Sequence, residues 1–189
     1  MSSHDKRKIT LEGRIKLPLS LALVGLAVYV SIRSGTIAVI PMLLSFCGDI
    51  FMMKHGNCFR NKGDNDLYAG MFAFMMSHVF YVNLMETPKN EVIIIIMVVI
   101  ATIFAIAIAF GSKNKIALTA LYVAVLILNV ANTFFFNTIA LVGGMLFLVS
   151  DVLIGLFDIM HDRTFKRHLL VWGTYVPAQI LMLCSFLIK

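Results

Sequence analysis

Two aspartates stand where a carboxyl group is expensive. Asp151 closes the stretch GGMLFLVSD; no charged side chain occurs from Ile116 through Ser150, and the chain is apolar again to Phe157. Asp49, in LLSFCGDI, is followed by Phe51, Met52 and Met53 before the next charge, Lys54. An ionisable group within hydrocarbon costs a few kcal/mol even on lenient insertion scales, so it reads as functional and requires a partner. Two carboxyls in one low-dielectric chamber cannot both ionise, because burial disfavours the charged form and like charges repel. One then keeps a proton to give while the other stays free to accept, which is the minimum for acid–base catalysis. The plainer alternative for Asp49, an acid at a helix end near the interface, stays open.

Other polar residues recur at helical spacing around these acids. Ser45 and Asp49 are four apart and share a face, with Gly48 allowing a neighbouring helix to approach. Gly70, Phe74, His78 and Tyr81 form one face, and Ser77 adjoins the histidine. A histidine in lipid needs a hydrogen-bond partner, and a carboxylate that fixes its tautomer is expected; a packing stripe is the alternative. Gly144, Phe147 and Asp151 share a third face, preceded by Ser150. Tyr175 and Gln179 are four apart with Pro177 between them, a proline that frees a backbone carbonyl and marks a cavity wall. Simple hydrogen bonding between helices is the alternative for that pair. Asn129 and Asn132 either line the same chamber or end a helix.

Several residue types carry no site. The cysteines Cys47, Cys58 and Cys184 are odd in number and spaced neither for disulfides nor for zinc. His55 and His161 fall in polar connections and read as solvated. Met42, Met52, Met53, Met71, Met75 and Met76 fill gaps between helices rather than bind a metal. There is no G-x-S-x-G pattern, and no serine nucleophile is required.

The elements that must position these residues are transmembrane helices. The chain has 189 residues, is 60% hydrophobic and has a mean hydropathy of +0.91, more apolar surface than a soluble domain of that size buries. An all-α, polytopic membrane bundle of about seven helices follows; alternating strand-like patterning, the mark of a β-barrel, is missing. Residues 1–16 form a basic cytoplasmic tail, and residues 17–189 form a single transmembrane domain. The first span is uncleaved, at Leu17–Arg33. The others run over Gly35–Met53, Leu67–Met85, Glu91–Phe110, Lys115–Phe134, Thr138–Phe157 and His168–Ile188. The uncharged run Ile116–Ser150 would be about 52 Å long as one helix, so it folds back near Asn132–Asn137. Thirteen of the 16 lysines and arginines fall in the tail and the alternate connections, and three on the other side. This bias puts the amino terminus in the cytoplasm and the carboxyl terminus opposite. Asp49 and Asp151 then lie at similar depth, in one chamber opening towards the cytoplasmic leaflet. The formal charge of +6 reflects topology rather than nucleic-acid binding.

These motifs, in this order, resemble the lysoplasmalogenase-like YhhN family. The residues that carry the likeness are Ser45, Gly48 and Asp49; Gly70, Phe74, Ser77, His78 and Tyr81; Gly144, Phe147, Ser150 and Asp151; and Tyr175 and Gln179. It extends over roughly Lys16 to Ile188. Members commonly have eight spans, and this chain lacks the first, so the orientation rests on its own charges. The resemblance implies an alkenyl ether hydrolase that cleaves the vinyl ether bond of a lysoplasmalogen, releasing a fatty aldehyde and glycerophosphocholine or glycerophosphoethanolamine. Asp49 and Asp151 are the implied functional acids. Asp151 is assigned as proton donor because its surroundings look drier, and Asp49 as base. Ser45, Ser77, His78, Tyr81, Ser150, Tyr175 and Gln179 would contact substrate or support the acids. No cofactor or metal is expected; the partners are a lysophospholipid and the bilayer, with a homo-oligomer left open. The membrane would be the endoplasmic reticulum in a eukaryote or the inner membrane in a bacterium. Two other readings remain: a seven-helix transporter or receptor using the acids and His78 as a relay, and a metal-dependent hydrolase with His78, Asp49 and Asp151 as ligands.

Overall fold

A chain in hydrocarbon must satisfy every backbone N–H and C=O internally, which makes helix the default even for residues that weaken helices in water. The stretch NEVIIIIMVVIATIFAIAIA illustrates this: its β-branched isoleucines and valines are stiff at χ1 and favour strands in water, yet it is helical from Asn90 to Ala109. The computed structural model describes residues 3–56, 65–87, 90–110, 115–159 and 165–188, which contain helices and no strand.

Seven helices follow in order: α1 (Ser3–Ser34), α2 (Val39–Gly56), α3 (Asn65–Leu84), α4 (Asn90–Ala109), α5 (Lys115–Phe136), α6 (Thr138–Ile159) and α7 (Phe165–Cys184). A short 3₁₀ turn, Ser185–Leu187, ends the last. The all-helical bundle expected from the sequence is therefore present, and the chain is integral to a membrane by the length and apolarity of its helices. Five of them are long and apolar enough to span, whereas Val39–Met53 of α2 and Thr138–Ile154 of α6 are shorter apolar stretches. Those two carry the acids. The first helix does not begin at Leu17: α1 is continuous from Ser3, with Pro18 inside it. Cys58 and His161, and the basic residues Arg60, Lys62, Lys89, Lys113, Arg163 and Lys189 used in the topology count, lie outside the described residues.

The fold-back falls at one residue. The fifth helix runs through Asn132 to Phe136, and Asn137 alone separates it from α6. Its Oδ1 accepts from the Ala140 amide at 2.8 Å, capping α6, and its Nδ2 donates to the Ser185 carbonyl at 3.1 Å. Asn132 does not end a helix. It is fully buried and accepts the Thr87 hydroxyl at 2.7 Å, which ties the end of α3 to α5.

Packing closes a ring in the order α1, α2, α3, α5, α6, α7 and back to α1, with α4 outside against α3 and α5. Glycine sets the tightest approach. A Cβ on Gly143 of α6 would lie 3.0 Å from the Met182 amide and 3.1 Å from the Ala178 carbonyl of α7, so those backbones nearly touch. Ile95, Ile96, Val99, Ile103 and Ile106 of α4 are exposed, as are Leu21, Val28 and Ile32 of α1. Such a belt would be a liability in water and suits lipid.

Candidate functional site

All six helices of the ring contribute polar side chains that hydrogen-bond between helices. Asp49, 4% exposed, lies on α2 and takes two hydroxyls on a single oxygen. Ser20 of α1 donates to Oδ2 at 2.6 Å, and Tyr175 of α7 donates to the same atom at 3.0 Å. The α2 face that carries Asp49 reaches inward because Gly48 has no side chain: a Cβ there would stand 2.8 Å from the Phe74 ring of α3.

A second tier of hydrogen bonds holds the donors in place. Ser77 gives its proton to the Pro41 carbonyl at 2.7 Å, so in its 2.8 Å contact with Ser45 the donor is Ser45. Ser45 in turn accepts from Gln179 Nε2 at 3.1 Å, while Gln179 Oε1 accepts the Tyr81 hydroxyl at 2.9 Å. The same Nε2 reaches the Tyr175 oxygen at 3.4 Å, leaving the Tyr175 proton to Asp49. Proton directions are thereby determined from Tyr81 through Gln179 and Tyr175 to the carboxyl. Every member is buried, and a satisfied buried network orients its end group with little freedom.

Asp151 stands across from this network on α6. Tyr122 of α5 donates to its Oδ2 at 2.7 Å. The two acids thus share the interior but take hydrogen bonds from different hydroxyls. A cluster of rings adjoins both. Phe147, one turn before Asp151, packs edge-on against Tyr175 at 5.5 Å and Phe74 at 6.2 Å, and Phe74 meets Tyr175 at 6.1 Å.

Three expectations change. Asp151 is not the drier acid: it is half-buried, whereas Asp49 is closed in by α1, α3 and α7. His78 has no carboxylate partner. It is 1% exposed, neither ring nitrogen has a hydrogen-bond partner among the described residues, and its ring stands edge-on to Phe147 at 4.5 Å. A relay through His78 therefore lacks a bonded path among the described residues. Ser150 is turned away from the network and donates to the Val171 carbonyl at 3.2 Å, joining α6 to α7. For the metal reading, no group of three His, Cys, Asp or Glu side chains converges among the described residues.

Ser45, Asp49, Ser77, Tyr81, Tyr175 and Gln179 come together as one network. Two residues that hold the acids, Ser20 and Tyr122, were not singled out by sequence. Ser20 had a signal: it lies one turn after Lys16 on a span otherwise read as an anchor. Tyr122 is a hydroxyl in the uncharged run, seven residues before Asn129 on the same face. Asn129 is buried, with its Oδ1 unbonded among the described residues.

The model of the YhhN family matches residues 14–186, which takes in each of these side chains. No curated protein and no solved structure matches the chain.

Proposed function

The chain belongs to the YhhN family, and from that premise we propose that it is a membrane hydrolase cleaving the vinyl ether bond of lysoplasmalogens, with Asp49 and Asp151 as its acid–base pair. The family includes lysoplasmalogenase. The observation that carries the reading is the pair of acids on helices of the ring, each held by a tyrosine hydroxyl and beside an aromatic wall.

Asp151 acts as the proton donor and Asp49 as the carboxylate. Two hydroxyls converge on Asp49 Oδ2, whereas Asp151 meets one, and hydrogen bonds donated to a carboxylate favour its ionised form. This support comes from the donors, not from the degree of burial. Asp151 protonates the β-carbon of the alkenyl chain, the double-bond electrons form the new C–H bond, and an oxocarbenium ion is left at the α-carbon. Asp49 stabilises that cation and takes a proton as water adds to it, giving a hemiacetal. The aromatic edges and faces of Phe74, Phe147 and Tyr175 keep bulk water from the ion and suit its charge. As the hemiacetal collapses, Asp49 returns its proton to the departing glycerol oxygen and Asp151 recovers one from the hemiacetal hydroxyl. Water is consumed, aldehyde and glycerophosphocholine or glycerophosphoethanolamine leave, and both acids regain their starting states.

Asp49→Asn and Asp151→Asn keep side-chain shape while removing the proton chemistry. Each is expected to lower aldehyde release from a lysoplasmalogen by at least about a hundredfold, the usual contribution of a general acid or base, with membrane insertion and monodispersity unchanged. Near-normal turnover by either variant would refute the assignment.

A further inference from the structure

The first and last helices present two matched rungs. On the upper rung, Ser20 of α1 and Tyr175 of α7 both donate to Asp49. One turn earlier on the same faces lie Lys16, four residues before Ser20, and Trp172, three before Tyr175. These also meet: the Lys16 ammonium sits 5.7 Å above the centre of the Trp172 ring, and that ring packs edge-on against Tyr175 at 5.4 Å. Lys16 is half-buried, and its charge is felt at Asp49. The lower rung thus holds a cation one helical turn, ~5.4 Å along the axis, from the residues that bond the proposed reacting carboxylate.

We propose that Lys16, seated on Trp172, binds the phosphate of a lysophospholipid whose alkenyl ether lies at Asp49. This site rests on the reading of the chain as a lysoplasmalogen hydrolase, and it names the part of the substrate that reading leaves unassigned. The three-carbon glycerol unit joining ether oxygen to phosphate is short, comparable with the separation of the two rungs. A lysine ammonium is a compact charge with three donors that can turn to a phosphate. The Trp172 π face steadies that ammonium. Placed between them, Lys16 also separates the negative phosphate from the carboxylate. A lysine at this depth could instead meet phosphates of the surrounding bilayer, and the test tells the two apart.

The purified full chain in nanodiscs of zwitterionic lipid is given alkenyl lysophosphatidylcholine and, separately, alkenylglycerol, which has the same ether but no phosphate. The readout is the ratio of kcat/KM for the two, with the binding ratio for their non-hydrolysable saturated alkyl analogues measured in parallel. Wild type is expected to favour the phosphate-bearing lipid, and Lys16→Gln to lower both ratios by about ten- to a hundredfold, the worth of a hydrogen bond to a charged group. Lys16→Arg is expected to restore part of the preference. Unchanged ratios in Lys16→Gln, as contact with bilayer phosphates alone would leave them, overturn the proposal, as does equal loss on both lipids. Should Lys16→Gln fail to fold, a wild type indifferent to the phosphate overturns it too. If wild type releases aldehyde from neither lipid while the alkyl pair still shows a Lys16-dependent preference, the phosphate site stands and the hydrolase reading falls. If neither alkyl analogue binds, the site falls as well.

Discussion

Ser20, Tyr175 and Tyr122 show how the carboxyl groups are tolerated in a hydrophobic bundle: each acid receives at least one hydroxyl proton at hydrogen-bond distance. His78 differs: its buried imidazole, pressed edge-on to Phe147, has two nitrogens without a hydrogen-bond partner among the described residues. A buried polar atom without a partner costs about 1–3 kcal/mol, and replacing it by an apolar group of the same shape is neutral or stabilising. His78→Phe is therefore expected to keep or raise the thermal unfolding temperature in detergent. A drop of several degrees would show that the nitrogens are bonded in the folded protein.

The helices bring these side chains together through contacts that only small residues allow. Gly48 lets α2 lie against the Phe74 ring, and Gly143 lets α6 lie against the α7 backbone. The neighbour differs: an aromatic edge has some room to turn, whereas the Met182 amide and Ala178 carbonyl belong to a packed helix. Gly143→Ala is expected to lower stability by about 1–3 kcal/mol through overpacking. Gly25→Ala, on α1 where nothing lies within 4 Å, should leave stability unchanged or raise it by up to about 1 kcal/mol. Equal unfolding temperatures for the two variants would contradict the close α6–α7 approach.

The whole bundle is a ring of six helices with α4 outside. Short connections make successive helices antiparallel, so an odd number of spans leaves the two termini on opposite sides of the membrane. Which side is which is a proposal from charge: thirteen basic residues against three lead us to propose that the amino terminus, the α2–α3 connection and the α6–α7 connection face the cytoplasm. Glycosylation-acceptor tags in those two connections should remain unmodified, while a tag in the α1–α2 connection or at the carboxyl terminus should be modified if it stands clear of the bilayer. Modification of the first two would reverse the orientation. In the proposed orientation Lys16, where a lysophospholipid phosphate is proposed to sit, lies towards the cytoplasmic end of α1.

Much of this was determined by sequence alone, because hydrophobic length and helical period are local properties. Seven helices, the placement of both acids in apolar helices, the close approach at Gly48 and the shared face of Tyr175 and Gln179 all follow from residue order. Period tells which face of its own helix a side chain occupies; it does not tell which helix stands opposite. Only the tertiary structure therefore decided that Ser20 and Tyr175 meet on one oxygen of Asp49 and that Tyr122 belongs to Asp151. It likewise turned Ser150 towards the α7 backbone and left His78 against a ring instead of a carboxylate. The order of burial was decided in the same way. An uncharged run of sequence surrounds Asp151 along the chain, but exposure depends on neighbours in space, and three helices close around Asp49.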